Sequence, residues 1–190
     1  MPRLHVFGCS HTTPYYNLEN AEQSWTHKLA TSIGFDLVNH GKAANSNDGI
    51  VYDMLNAEFA NNDLIVILVT YPHRIMIDEK TNVLASTPED EWWYRVVHHD
   101  WFYQLNLVRN ILAMKQIIGT RNHLMTFADP TELFKFKEWK KVLHGSTYTF
   151  LPKITLGKSF GIGADKQHMP PEGHDAFFRF LSGKLPQHQS

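Results

Sequence analysis

Residues 63–70 read Asp-Leu-Ile-Val-Ile-Leu-Val-Thr, an unbroken aliphatic run rich in β-branched residues and closed by polar residues at both ends. A strand with one wet face would alternate apolar and polar side chains, and this one does not. Both its faces must be covered, which is the condition of a central strand in a parallel sheet with helices packed on either side. The rest of the chain must therefore supply the helices and the neighbouring strands.

The remaining pattern supplies them. Residues 3–8 form a first strand and break into a polar, turn-prone stretch from Ser10 to Asn20. Trp25, Leu29 and Ile33 then recur at helical spacing in a helix expected from about Ala21 to Ile33, with Gly34 where a C-terminal cap belongs. A short strand, Phe35 to Asn39, leads into a loop over 40–47, and Asn47 or Asp48 is expected to cap a helix running to about Phe59. A connection from Tyr71 to Pro88 precedes a long helix, roughly Glu89 to Ile118, ended by Gly119. A strand at His123 to Ala128, a helix at 131–143, a weaker strand at 147–154 and a loop at 157–170 follow. Pro171, at a first helical position, opens a last helix holding Ala176, Phe177, Phe180 and Leu181. Strands alternating with helices predict a three-layer α/β/α fold around a mostly parallel, five-stranded sheet, as one domain over residues 1–190.

Composition narrows the function. Among 190 residues, 18 basic and 19 acidic side chains leave a formal charge of −1, so no bulk field draws the chain to nucleic acid or an anionic membrane. The single cysteine, Cys9, can form no internal disulfide and no all-cysteine zinc site. The opening Met-Pro-Arg-Leu-His-Val-Phe-Gly lacks the basic flank and apolar stretch of a signal peptide, and the longest apolar run, Leu64 to Val69, is too short to span a bilayer. The expected location is the cytoplasm; an exported protein would have to leave without a cleaved signal.

Three loops carry chemistry, each expected after a strand or ahead of a helix, where open α/β sheets bind ligands. Gly8-Cys9-Ser10-His11-Thr12 places a hydroxyl at a strand-to-helix turn. Gly41-Lys42-Ala43-Ala44-Asn45-Ser46-Asn47 offers small residues and backbone donors at a helix N-terminus. In Asp165-Lys166-Gln167-His168, an Asp three residues before a His suits the pairing that holds an imidazole in the tautomer of a general base. The order Ser, Asp, His also occurs in α/β-hydrolases, but the chain contains no Gly-x-Ser-x-Gly elbow.

This combination resembles the SGNH hydrolases, the GDSL-like esterase and lipase superfamily. Phe7-Gly8-Cys9-Ser10-His11-Thr12 is similar to the family's first block, with Cys9 in place of its Asp. Asp165-x-x-His168, with Pro170 and Gly173-His174, is similar to its last. The resemblance implies a flavodoxin-like fold and a serine esterase acting on a small-molecule or glycan ester, an acetylated sugar or a lipid being the ester classes considered. In it Ser10 is the nucleophile, His168 the base and Asp165 its orienter, with no metal or organic cofactor. The family's oxyanion glycine falls on Ala44, with Gly41 three residues earlier. Its third block carries an asparagine whose side chain donates to the oxyanion; an ungapped register puts that position at Pro72, which has no donor. Substitute donors are then expected among Thr70, Asn47, His73 and Tyr71, in the order Thr70, Asn47, His73.

Three further readings compete. A carbohydrate- or partner-binding module that kept the fold and lost the reaction would fit the missing asparagine and the aromatic stretch Trp92, Trp93, Tyr94, Trp101, Phe102 and Tyr103. A thiol hydrolase would need Cys9 exposed, whereas its position beside Ser10 turns it toward the core. A metal site at His98, His99 and Asp100 lacks the i, i+4 histidine pair of metal-binding helices.

Overall fold

The computed structural model describes residues 1–14, 16–78, 81–83, 100–153 and 155–186. Five strands, β1 (Arg3–Phe7), β2 (Asp36–Asn39), β3 (Leu64–Val69), β6 (His123–Phe127) and β7 (Tyr148–Thr149), make one sheet in the order β2-β1-β3-β6-β7. Every pairing in it is parallel. A separate antiparallel pair, β4 (Ile75–Asp78) and β5 (Thr81–Val83), follows β3. The helices are α1 (Trp25–Ile33), α2 (Asn47–Leu55), α3 (Asp100–Ile118), α4 (Thr131–Lys135), α5 (Trp139–Leu143), α6 (Leu156–Phe160) and α7 (Pro171–Ser182).

The aliphatic run behaves as its composition demands. All six residues of β3 are buried, and alternation divides them between the two faces. Leu64, Val66 and Leu68 pack with Trp25 and Leu29 of α1 and Phe177 and Leu181 of α7. Ile65, Ile67 and Val69 pack with Ile50 and Met54 of α2 and Leu107, Ile111 and Met114 of α3. The sheet is thus the middle of three layers, and β3 has no wet face on which a polar residue could be tolerated.

Local signals explain most boundaries. Gly34 ends α1 in the left-handed region at φ 70°, and Gly119 ends α3 at φ 61°. Ser24 caps α1 through its hydroxyl, so the helix starts later than the pattern suggested; only a short 3₁₀ turn covers Ala21–Gln23. The cap of α2 is Ser46, whose hydroxyl accepts from Gly49 N at 3.1 Å, rather than Asn47 or Asp48, and the helix stops at Leu55 rather than near Phe59. The helix expected over 131–143 is two short ones, because Phe136 turns extended (φ −77°, ψ 114°) between them. Two elements were not anticipated: the β4–β5 pair inside the supposed connection, and α6 inside the supposed loop. The expected helical residues 89–99 lie outside the described residues, and with them Trp92, Trp93, Tyr94, His98 and His99.

The sheet order sets the site. The chain steps from β1 outward to β2, then returns across β1 to β3 and onward, so the direction of winding reverses between β1 and β3. The carboxyl ends of these two strands border the crevice where such sheets bind ligands. Ser10 follows β1 and Thr70 follows β3.

Candidate active site

After β1 the backbone tightens at once into a 3₁₀ turn over Ser10–Thr12. Thr12 N and Oγ1 both donate to Cys9 O, at 2.9 and 2.6 Å, and Thr13 Oγ1 donates to Ser10 O at 2.8 Å. Trp25 Nε1 donates to His11 O at 2.8 Å and Asn39 Nδ2 to Thr12 O at 2.7 Å, so α1 and β2 both grip the turn. Gly8 is required by close approach: a Cβ there would stand 2.4 Å from Thr12 Cγ2 and 3.1 Å from Leu68 Cβ. Alternation then separates the next two residues. Cys9 is wholly buried in the core with Leu4, Val6 and Leu68, while Ser10 lines a cleft.

The partner loop precedes α7. Asp165 Oδ2 lies 2.5 Å from His168 Nδ1. Asp165 Oδ1 accepts from His168 N at 2.9 Å, Gln167 N at 3.0 Å and Asn17 Nδ2 at 3.0 Å. Burial works against the carboxylate charge, but these donors outweigh it and hold Asp165 well below the usual carboxylate range. A charged carboxylate on Nδ1 keeps the ring proton there and leaves Nε2 as the basic nitrogen. Asn17 is the brace of this loop. It sits in the left-handed region at φ 57°, which asparagine tolerates, and donates also to His168 O at 3.2 Å. Gly163 leaves room for it, since a Cβ there would fall 2.4 Å from Asn17 Nδ2. The ring of Tyr16 stacks on that of His168, with centroids 4.0 Å apart and planes at 12°.

The two loops meet in one cleft of about 280 Å³ lined by Ser10, His11, Tyr71, His73, Arg74, Gln167 and His168. No hydrogen bond joins Ser10 Oγ to His168 Nε2 among the described residues. The His11 and His168 rings are 5.2 Å apart. Burial, with His168 and Arg74 nearby, pushes the His11 imidazole down to about 3, so it is neutral at ordinary pH. Burial and Arg74 also lower His73.

The expected oxyanion donors divide sharply. Asn47 and Thr70 serve each other: Asn47 Nδ2 donates to Thr70 O at 3.1 Å, and Thr70 N donates to Asn47 Oδ1 at 2.9 Å. Asn47 is therefore committed to bridging α2 and the end of β3. Thr70 is wholly buried, and its hydroxyl accepts from Arg74 Nη1 at 3.1 Å instead of facing the cleft. Gly41 lies elsewhere too, in contact with Thr12 and lining a separate cavity of about 150 Å³. Pro72 is buried and has no N–H. Ala44 keeps the signature of a glycine position, φ 55°, which costs an alanine roughly 1–2 kcal/mol. Neither Ser10 N nor Ala44 N donates to an acceptor among the described residues. The sequence reading missed Asn17, Tyr16, His11, Arg74 and Gln167 as parts of this site. Only Arg74 carried a signal, as the first cationic residue after the buried strand.

No protein-family model and no curated protein matches the chain. Solved structures do. A protein assigned to the lipolytic G-D-S-L family, from Desulfitobacterium hafniense DCB-2, superposes with a TM-score of 0.58 at 15% identity, over 97% of this chain and 100% of that one. The psychrotrophic esterase EstA from Pseudoalteromonas sp. gives 0.56 at 10% identity, over 96% of each chain. A family two carbohydrate esterase from Clostridium thermocellum, solved in complex with cellohexaose, gives 0.58 at 14% identity, over 96% of this chain and 64% of that one. At such identities the likeness is one of fold. The chain has the fold of the SGNH hydrolases, in a form far diverged in sequence. Among the described residues, no helix is long and apolar enough to cross a membrane, and no group of three or more His, Cys, Asp or Glu side chains is placed to hold a metal.

Proposed function

We propose that the chain is a serine esterase that cleaves a carboxylic ester through Ser10, His168 and Asp165. The observation carrying this reading is the Asp165–His168 pair, whose contact at Nδ1 leaves Nε2 as the base in the cleft that Ser10 also lines. In the reaction, Ser10 Oγ gives its proton to His168 Nε2 as it attacks the acyl carbon. Asp165 stabilises the imidazolium that forms. The oxyanion is held by the free N–H groups of Ser10 and Ala44. His168 then protonates the departing alcohol, and water releases the acyl group from Ser10 by the same steps in reverse role. The hydroxyl must turn toward Nε2 for the first step, and such catalytic contacts commonly tighten only with substrate bound. The cleft is small and its lining mostly polar, which favours a compact, polar ester over a long acyl chain.

A second reading, a binding module that has lost the reaction, is favoured by Pro72 at the position of the third-block donor. Hydrolysis of short-chain activated esters and acetylated sugars by the purified chain decides between them. The esterase reading expects turnover that Ser10→Ala reduces by about 10⁴-fold or more. An inert wild type across such a panel, with retained binding of the sugars, would leave the module.

A further inference from the structure

Arg74 is held in the cleft in one orientation. Its Nη1 donates to Thr70 Oγ1 at 3.1 Å and to Asn45 O at 3.4 Å, and its Cζ lies 4.8 Å from the centroid of the Tyr71 ring. Thr70 is in turn fixed through its backbone by Asn47. These contacts use one corner of the guanidinium and leave the other edge idle. Nε is buried without a hydrogen-bond partner, and Nη2 donates to no described residue. No carboxylate of a described residue lies within ion-pair distance of Arg74. Asp165, the acid of the neighbouring loop, is occupied by His168, Gln167 and Asn17.

The Nε and Nη2 hydrogens are parallel donors, the fork that fits two oxygens of a carboxylate or phosphate. A buried N–H without an acceptor is costly to keep unless something supplies the acceptor. His11, beside it, is neutral, so Arg74 is the permanent cation among the described residues lining the cleft, with Asp165 and Asp129 carrying the opposing charges nearby. An anion entering this cleft meets a guanidinium already fixed by Thr70, Asn45 and Tyr71.

We propose that the substrate of this cleft carries an anionic group, a carboxylate or a phosphate, bound by the Nε–Nη2 edge of Arg74. The ester part of this statement rests on the esterase reading; the anion part does not. The Thr70–Asn47 clasp, which takes two expected oxyanion donors out of the chemistry, becomes the support that orients the specificity residue.

The experiment has two arms. Succinate and inorganic phosphate are titrated calorimetrically into the full chain carrying Ser10→Ala, with and without Arg74→Gln or Arg74→Lys. At least one anion is expected to bind, at least tenfold more weakly after Arg74→Gln, with Arg74→Lys retaining only part of the affinity because it keeps the charge but not the fork. Whichever anion binds identifies the group. Separately, the chain with Ser10 intact is assayed on 4-nitrophenyl acetate and on the mono-4-nitrophenyl ester of succinic acid. Arg74→Gln is expected to lower the preference for the charged ester by tenfold or more in kcat/KM. Anion affinity unchanged by Arg74→Gln overturns the proposal. So does an equal loss on both esters, which would make Arg74 an oxyanion donor. Failure of all ester hydrolysis with anion binding intact would instead count against the esterase reading alone.

Discussion

Asp165 reaches His168 twice, with Oδ2 at 2.5 Å from the ring Nδ1 and Oδ1 accepting from the backbone N at 2.9 Å. The three-residue spacing makes this possible, because the chain between them closes into a turn with Lys166 in the left-handed region at φ 59°. The carboxylate therefore orients the imidazole and also shapes the loop that carries it.

Asp165→Asn should separate these two duties. The amide oxygen can still accept from the backbone, so the melting temperature should change little. The ring loses its anionic partner and its fixed tautomer, and turnover should fall by about 10³- to 10⁴-fold. Steady-state kinetics beside a thermal melt checks this; a fully active variant would remove Asp165 from the mechanism.

Asn17 is expected to act as a positioning residue. Asn17→Ala removes donors to both Asp165 Oδ1 and His168 O and puts a Cβ-bearing residue without a polar side chain at φ 57°. Turnover should fall about tenfold or more with KM nearly unchanged. Asn17→Gly relieves the backbone strain without restoring the donors, so it should regain stability and not rate. Rate recovery in Asn17→Gly would show that the backbone alone matters.

The pH dependence of turnover follows from the same set. Asp165 stays ionised down to well below pH 4, and His11, held at about 3, stays neutral above that. Neither changes charge between pH 5 and 9, so an acid limb of turnover in that range should belong to neither of them. The same limb should persist in His11→Gln, and its disappearance there would transfer the role of base to His11.

Folding stability should drop in mild acid. Burial lowers His5, His11, His40 and His174 in the folded state, the last two to about 4. The unfolded chain takes up protons below about pH 6.5 that the folded chain refuses, so stability is lost as pH falls from there toward 4, at up to about 1.4 kcal/mol per pH unit for each group. Asp63 adds a second step. Burial opposes its charge, but Arg3 and the Ala60 N–H bring it to about 2, so its contribution disappears between about pH 4 and 2. Urea melts from pH 7 to 4 read the first effect; a flat midpoint over that range would contradict it.

How much was legible in the sequence depended on how local each signal was. The run 64–69 admitted one interpretation, and the sheet grew from it. The turn at Ser10 and the contact of Asp165 with His168 were legible because each lies within one short loop of distinctive chemistry. The fates of Thr70 and Asn47 were not, since their mutual hydrogen bonds join residues 23 apart in the chain. An asparagine that fits an oxyanion hole fits a backbone clasp equally well by type. The β4–β5 pair was missed because both strands are short and follow a stretch with no alternating pattern, and the 131–143 helix was overextended because Leu133, Phe136 and Val142 keep an apolar spacing across a backbone break. Asn17 belongs to a polar stretch with no motif at all, and only the fold brings it to residues about 150 positions away.

Covalent labelling with a fluorophosphonate, followed by peptide mapping, tests the central claim most directly, because the reagent reports an activated serine without needing the natural substrate. One adduct per chain is expected on Ser10, absent in Ser10→Ala, formed at least about 10²-fold more slowly in His168→Ala, and leaving the buried thiol of Cys9 untouched. An adduct on another residue, or labelling of Ser10 at an undiminished rate in His168→Ala, would contradict it.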